Sequence, residues 1–268
     1  MVVARLFEER PLEIAGRRAA LAAVGATSGL VRGGSAAASD SIPVPAALAA
    51  LVPGGVRRGE ATALADAASG TATVDYLTLA LLAEALRQGL WCAAVGAKAL
   101  GGAALAGLLG AAALREGALR RLLVVAEPGE RWAEVAAVLA DGVDLVLVCP
   151  PGAVSAQVAR RVDARLRQGA ADEARHRAAL LVLGSWPSAR TVLRVRRIGW
   201  TGLGEGVGRL VGGRAEVAAE DRTRRVRTVQ VWLPGPDGMV SSSARDERSG
   251  QRSAWGEEAD SRRLTAVA

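Results

Sequence analysis

The sequence predicts an α/β fold in which a mostly parallel central sheet is flanked by helices and extended by antiparallel edge strands. From residue 43 onward, short apolar segments alternate with longer segments of helical periodicity, which indicates parallel strands joined by helical crossovers. The segment Val143–Cys149 is apolar at nearly every position, as in a strand that is buried on both faces. After residue 190, strand-like segments follow one another without an intervening helix, which indicates antiparallel strands at one edge.

The predicted elements follow a regular order. Helices are expected over 43–51, 70–88, 102–114, 128–140 and 154–168. Strands are expected over 60–65, 91–96, 122–126, 143–149, 178–183, 193–198, 206–211, 215–219 and 226–233. Residues 54–59 are predicted to form a turn, and Gly89 ends the second helix in the position that glycine favours. The chain is thereby divided into an N-terminal helix and linker (1–41), a core domain (42–234) and a disordered tail (235–268).

The composition indicates the cellular location of the protein and excludes some classes of functional site. The apolar run 99–114 is shorter than the roughly 18 residues of a membrane span, and the N-terminus lacks a secretory pattern, so a cytoplasmic protein is expected. Cys92 and Cys149 lie in apolar segments and are expected to be core residues. Because His176 is the only histidine, we expect neither a metal site nor a catalytic triad, and no cofactor.

The segment Ala65–Ala72 has the spacing of a phosphate-binding loop without its chemistry. Of the pattern G-x-x-x-x-G-K-[ST], only Gly70 is present. Thr71 stands in place of the lysine that neutralises the phosphates, and Ala72 in place of the hydroxyl that binds Mg²⁺. No neighbouring lysine can replace the missing one, because Lys98 is the only lysine in the chain. The segment predicts the architecture of a nucleotide-binding protein without the activity.

The chain from about residue 42 to 233 resembles the ATPase core of RecA-type recombinases. The likeness is carried by the Gly-Gly-hydrophobic turn of the lead-in 48–60, by the degenerate loop and by two apolar strands. The resemblance places Lys98 where the catalytic glutamate belongs, and a protonated lysine cannot act as a base on water. It places Cys149 where an aspartate binds magnesium, while Asp144 lies at the other end of that strand. With three catalytic positions replaced, the chain is expected not to be an enzyme.

The connections that contact DNA in RecA-type recombinases are short in this chain. Only Pro150–Ala153 separates a predicted strand from the next helix, and only 184–192 separates two later strands. Trp186 in the second connection could stack on a base, but a Trp-Pro pair in a tight turn favours local packing. Strand exchange is therefore not expected.

A RecA-like core without these motifs resembles the ImuA-type accessory proteins of bacterial translesion-synthesis mutasomes, especially the diverged actinobacterial kind. The resemblance implies a non-catalytic scaffold protein in an SOS-induced, error-prone DNA repair complex, associated with the nucleoid when in that complex. The implied partners are a Y-family polymerase-like subunit and an error-prone replicative-type polymerase, and self-association is left open. SulA-type cell-division inhibitors share the stripped core and are the alternative, although they are much shorter.

Two features point to further partners. The net charge of +7 suggests a DNA-binding accessory factor, although aromatic residues for base stacking do not alternate with the arginines. The arginines in question are Arg194, Arg196, Arg197, Arg222, Arg224, Arg225 and Arg227. Trp255 and Leu264 are isolated apolar residues in the tail and, with Trp232 on the last core strand, are candidates for protein binding. A passive, solvated tail is the alternative.

Overall fold

The computed structural model describes Val2–Val3 and residues 40–66, 71–98, 100–168, 177–203 and 208–243. The predicted N-terminal helix, His176 and the tail residues Trp255 and Leu264 lie outside these ranges, as do residues 67–70 of the degenerate loop.

The described residues contain twelve strands and four α-helices. The strands are β1 (Val2–Val3), β2 (Ser41–Ile42), β3 (Val56–Arg57), β4 (Ala61–Asp66), β5 (Cys92–Val95), β6 (Leu122–Val125), β7 (Leu145–Val148), β8 (Ala179–Leu183), β9 (Thr191–Leu203), β10 (Gly208–Asp221), β11 (Val226–Trp232) and β12 (Ser241–Ser242). The helices are α1 (Thr71–Arg87), α2 (Gly102–Arg115), α3 (Trp132–Leu139) and α4 (Ala156–Gln168). Short 3₁₀ helices cover Ala46–Leu48, Ala118–Arg121 and Gly129–Arg131.

Ten of these strands form one sheet in the order β1-β6-β5-β7-β8-β4-β9-β10-β11-β12. Pairing is parallel from β1 through β9 in this order. It is antiparallel from β9 to β12. The predicted α/β fold, with its mostly parallel sheet, flanking helices and antiparallel edge, is confirmed. Strand β4, which leads into the degenerate loop, is separated from β7 by β8.

Side chains alternate between two apolar layers on the faces of the parallel strands. In β7, Leu145 and Leu147 pack in one layer, whereas Val146 and Val148 pack in the other. The first layer contains α1 and α2, and the second contains α3 and α4. All four β7 side chains are buried because both faces are covered, as their continuous apolar pattern predicts.

The segments after residue 190 differ from the prediction. Strands β9 and β10 form one long hairpin, and two predicted strands on either side of Gly212 and Gly213 are a single strand. A Cβ atom at Gly212 would lie 3.2 Å from Cε3 of Trp232, and one at Gly213 would lie 3.0 Å from Cζ3 of Trp200. The two glycines thus leave room for tryptophan rings instead of ending a strand.

Two further segments differ from the prediction. Part of the predicted turn 54–59 is β3, which pairs with β2 in a small separate sheet. Residues 235–243, assigned to a disordered tail, continue the fold: β12 pairs with β11, and the Tyr76 hydroxyl donates a hydrogen bond to the Gly238 carbonyl. Burial, together with the charge of Asp237, raises the pKa of Tyr76 and keeps this donor protonated.

Candidate functional site

The candidate site lies at the edge of the sheet where the parallel strands β4, β5, β7 and β8 reach their carboxyl ends. Ligands of open α/β sheets bind at this edge. Strand β4 leads into the degenerate loop, β5 into the segment with Lys98, β7 into Cys149 and β8 into the connection 184–192. Because these strands are parallel, the four segments lie at the same edge of the sheet. We call this region the carboxyl edge.

The degenerate loop is shorter in the structure than in the sequence pattern. Ala65 and Asp66 belong to β4, where they pair with Arg194 and Val195 of β9. Helix α1 begins at Thr71, so the backbones of Thr71 and Ala72 are both helical. Only residues 67–70, which include Gly70, connect the strand to the helix, and they lie outside the described residues.

Lys98, at the position assigned to a catalytic glutamate, lies just beyond the end of β5. Its Nζ atom lies 3.0 Å from Oε1 of Glu127, and about two thirds of each side chain is exposed. Exposed ion pairs of this kind contribute little, in the range of about 0–1 kcal/mol. Lys98 therefore places a solvated cation, already facing a carboxylate, where the resemblance expects a base.

Cys149, at the position assigned to a magnesium-binding aspartate, directly follows β7 and is half-buried. Its amide donates a hydrogen bond to the Val95 carbonyl at 2.8 Å, which joins the ends of β7 and β5. The backbone of Gly96 also approaches the Cys149 carbonyl so closely that a Cβ atom at Gly96 would collide with it. The backbones of Gly96 and Cys149 are therefore packed tightly against each other, and a thiol stands where the resemblance expects a carboxylate.

Cys92 differs from Cys149 in its surroundings. It begins β5 and is fully buried, as predicted for a core residue. Burial raises the pKa of the Cys92 thiol far above its usual range, and the charge of Asp144 raises it further. Cys92 is therefore held as an unreactive thiol, whereas Cys149 lies at a cavity.

A cavity of about 220 Å³ opens at the carboxyl edge, between α1 and the ends of β5, β7 and β8. It is smaller than the roughly 300–1,000 Å³ of typical ligand pockets. Its lining is mostly aliphatic, and no carboxylate is among its described lining residues: Thr78, Leu79, Gly96, Ala97, Lys98, Leu100, Gly101, Leu147, Cys149 and Leu183. The cavity thus brings Lys98 and Cys149 together but offers, among these residues, one cation and one thiol as its only ionisable groups.

No group of three or more His, Cys, Asp or Glu side chains with metal-binding geometry is found where the structure describes the chain. Within the same ranges, no helix is long and apolar enough to cross a bilayer.

Trp186 in the short connection after β8 packs locally. It is buried, donates a hydrogen bond from Nε1 to Oδ1 of Asp163 at 3.2 Å, and meets Trp132 edge to face with ring centroids 6.4 Å apart. Ser188 also donates to Asp163, through its hydroxyl. The ring therefore belongs to the α3–α4 layer, and it is not presented for stacking on a base.

The predicted arginine set divides into two groups. Arg194 pairs with Glu220 at 2.9 Å and Arg227 pairs with Asp221 at 3.5 Å, while Arg196 and Arg197 lie in β9. Three exposed members of the set lie on the turn between β10 and β11: Arg222, Arg224 and Arg225. The structure thus gathers three of the seven arginines on one turn.

Asp221 holds the conformation of this turn. The Thr223 hydroxyl donates to its Oδ1 at 2.5 Å, and the amides of Thr223 and Arg225 donate to the same oxygen. The hydrogen bond from the Thr223 hydroxyl, reinforced by these two amides, lowers the pKa of Asp221. Arg224 adopts a left-handed backbone conformation within the turn, with φ of 59°.

Of the predicted protein-binding residues, only Trp232 lies within the described chain. It is buried in β11, with the Arg214 guanidinium 4.8 Å from its ring centroid. Sequence reasoning missed three large exposed apolar residues near the end of the β9–β10 hairpin: Trp200, Leu210 and Val211. The sequence pattern did not reveal them, because the neighbouring glycines are uncommon inside strands and obscured the pattern of β9 and β10.

Trp200 and Val211 lie on one face of this hairpin. The Trp200 ring lies over Gly213, and a Cβ atom at Gly202 would be 2.5 Å from Cγ2 of Val211. Because Trp200 and Gly202 are two residues apart on β9, they point to the same side of the sheet. We call Trp200, Leu210 and Val211 the hairpin apolar residues.

Together, the fold and the carboxyl edge define an α/β protein with a mostly parallel sheet and an aliphatic cavity at the carboxyl ends of its strands. Residues 49–188 match the family model of the MT3502 N-terminal domain, and the match covers more than half of the 268 residues. The chain therefore belongs to the MT3502 N-terminal domain family. No curated protein matches it at a significant level. The matched segment includes the carboxyl-edge cavity and ends before the β9–β10 hairpin.

Proposed function

We propose that this chain is a non-catalytic accessory protein that acts by binding other proteins in a damage-induced, error-prone DNA repair complex. The observation that carries the proposal is the pair of side chains at the carboxyl edge. Lys98 and Cys149 replace the two carboxylates that magnesium-dependent ATP hydrolysis needs there, and the cavity between them is lined mainly by aliphatic groups.

The resemblance to ImuA-type accessory proteins supplies the rest of the proposal. It names a Y-family polymerase-like subunit and an error-prone replicative-type polymerase as partners. The hairpin apolar residues support protein binding, since Trp200, Leu210 and Val211 are each between 46% and 47% exposed. Exposed large apolar side chains that share one face, as Trp200 and Val211 do, are typical of sites of protein interaction.

Co-purification from DNA-damaged cells tests this proposal, and the structure improves the choice of truncation. Deletion of residues 235–268 would remove β12 and the contact between Tyr76 and Gly238, so it would disturb the fold. Deletion of residues 244–268 leaves those contacts in place and removes Trp255 and Leu264.

The full chain should retain a polymerase-like partner in this experiment. Loss of the partner on deletion of 244–268 would assign the contact to the tail. Retention of the partner by that truncation, followed by its loss on Trp200→Ser, would assign the contact to the hairpin. Recovery of no polymerase-like protein with the full chain would contradict the proposal.

A further inference from the structure

A second cavity, of about 320 Å³, lies at the opposite edge of the sheet from the carboxyl edge. Its size falls within the range of roughly 300–1,000 Å³ that is typical of ligand pockets. It is formed where β4 and β8 begin, where α4 ends and where β10 turns into β11. We call it the amino-edge cavity.

Among the residues that the structure describes, five arginines line this cavity, and they come from separate parts of the chain. They are Arg57, Arg58, Arg167, Arg177 and Arg222. The carboxylates among the same described lining residues are Asp40, Glu60 and Asp163. A position in the last turn of a helix favours a cation and accounts for Arg167 alone. The other arginines belong to β3 and the residue after it, to the segment before β8 and to the β10–β11 turn, so no single element explains the cluster.

Two of these charged groups are already neutralised by ion pairs. Arg58 is buried and pairs with Asp144, Nη2 to Oδ1, at 2.9 Å. Glu60 pairs with Arg190, Nε to Oε2, at 3.0 Å. These pairs leave four arginines facing two carboxylates across the cavity.

The remaining carboxylates do not neutralise the four arginines. Asp163 is buried and accepts hydrogen bonds from Trp186 and Ser188, and Asp40 is exposed. None of the ion pairs between described residues includes Arg57, Arg167 or Arg177, which are all exposed. Arg222 donates from Nη2 to the Ser188 carbonyl at 3.0 Å, which holds its guanidinium at the cavity.

Like charges that converge on one cavity repel one another, and a bound anion removes that repulsion. Guanidinium groups bind phosphate with paired hydrogen bonds, which makes arginine the preferred residue for phosphate recognition. Arg224 and Arg225, exposed on the turn that carries Arg222, extend the positive charge beyond the cavity. We propose that the amino-edge cavity is a binding site for phosphate groups of an anionic ligand.

Phosphate groups could reach this site from a nucleic-acid backbone or from a free phosphate compound, and two probes separate these sources. A fluorescent oligothymidylate reports the first by anisotropy, and inorganic pyrophosphate reports the second by calorimetry, both with the full chain at low salt. We expect at least one probe to bind, with an affinity that falls as salt increases.

The decisive variant is Arg167→Gln combined with Arg177→Gln, and the matched control is Arg115→Gln combined with Arg120→Gln. The control arginines are also exposed, lie outside the cavity and give the same net charge. The cavity variant should bind the probe about tenfold more weakly or worse, from the loss of charge-assisted hydrogen bonds, while the control should retain most of the affinity.

Binding of oligothymidylate alone would identify a nucleic-acid backbone as the source, and binding of pyrophosphate would identify a free phosphate compound. Binding of neither probe would overturn the proposal. Equal weakening by the cavity variant and the control would also overturn it, because the net positive charge of the protein, and not the cavity, would then account for the binding. The single substitution Arg222→Gln is a second test. It should weaken binding without changing the fold, because Asp221 holds the conformation of the turn.

Discussion

Arg58 and Asp144 form a buried ion pair, with Nη2 2.9 Å from Oδ1 and side chains only 7% and 9% exposed. Asp144 also accepts a hydrogen bond from the Trp91 amide through Oδ2 at 2.8 Å, and Arg58 donates from Nη1 to the Arg177 carbonyl. The pair joins the segment before β4 to the beginnings of β5, β7 and β8. In the sequence, Asp144 lies at the wrong end of its strand to replace the magnesium-binding aspartate. In the structure it is a structural residue at the amino ends of the parallel strands.

Replacement of one partner of this pair should be strongly destabilising. Asp144→Ala leaves the Arg58 guanidinium buried without its carboxylate, so we expect the free energy of unfolding to fall by about 3–5 kcal/mol. Asp141→Ala is the matched control, because the Asp141–Arg165 pair is partly exposed and should contribute no more than about 1 kcal/mol. Urea denaturation measures both, and equal losses would contradict the assigned role of Arg58 and Asp144.

Truncation should lower the stability of the protein much more at Trp186 than at Trp200. Trp186→Ala removes a buried ring and the hydrogen bond to Asp163, and should lower the free energy of unfolding by about 3–5 kcal/mol. Trp200→Ala removes a half-exposed ring and should change it by less than about 1 kcal/mol. The comparison fails if thermal or urea unfolding shows that Trp186→Ala is tolerated.

The hairpin apolar residues give a prediction about binding. Trp200→Ser should weaken association with the polymerase-like partner while it leaves the fold intact, because the side chain contributes more to the surface than to the core. Val226→Ser is the matched control, since Val226 is equally exposed but lies at the start of β11. Pull-down with each purified variant measures the effect. An identical loss for Val226→Ser would remove the hairpin from the proposal.

The two thiols should differ in reactivity. A maleimide reagent should modify Cys149 in the folded protein and modify Cys92 only after unfolding. Burial shields Cys92 and raises the pKa of its thiol, and each unit of that rise reduces its thiolate about tenfold. Because the pKa of the buried Cys92 thiol is raised, a moderate rise in pH should not make Cys92 reactive in the folded protein. Mass spectrometry of labelled peptides identifies the site, and preferential labelling of Cys92 in the native state would contradict this assignment.

The parallel half of the sheet could be predicted from the sequence, because local residue patterns determine its elements. The buried strand β7 and the glycine that follows α1 are determined by neighbouring residues, so local patterns predict them. Strand β3 and the β9–β10 hairpin were missed or divided because they depend on distant partners: β3 on Ser41 and Ile42, and the glycines of β10 on two tryptophan rings.

The candidate site divides in the same way. The resemblance singled out Lys98 and Cys149 because each follows an apolar strand, and the structure places both at one cavity. The amino-edge cavity could not be predicted, because its arginines come from four separate segments whose meeting depends on the whole topology. The composition shows an excess of positive charge, but only the fold shows that several of the arginines meet at the amino-edge cavity.

The most direct test of the central claim is the steady-state rate of ATP hydrolysis by the purified full chain with magnesium, in the presence and absence of single-stranded DNA. The proposal predicts a rate equal to that of the protein-free control, and no change on Lys98→Ala or Cys149→Ala. It also predicts that ATP leaves the labelling rate of Cys149 unchanged. A magnesium-dependent hydrolysis that either substitution abolishes would contradict the proposal, because the carboxyl edge would then be an active site.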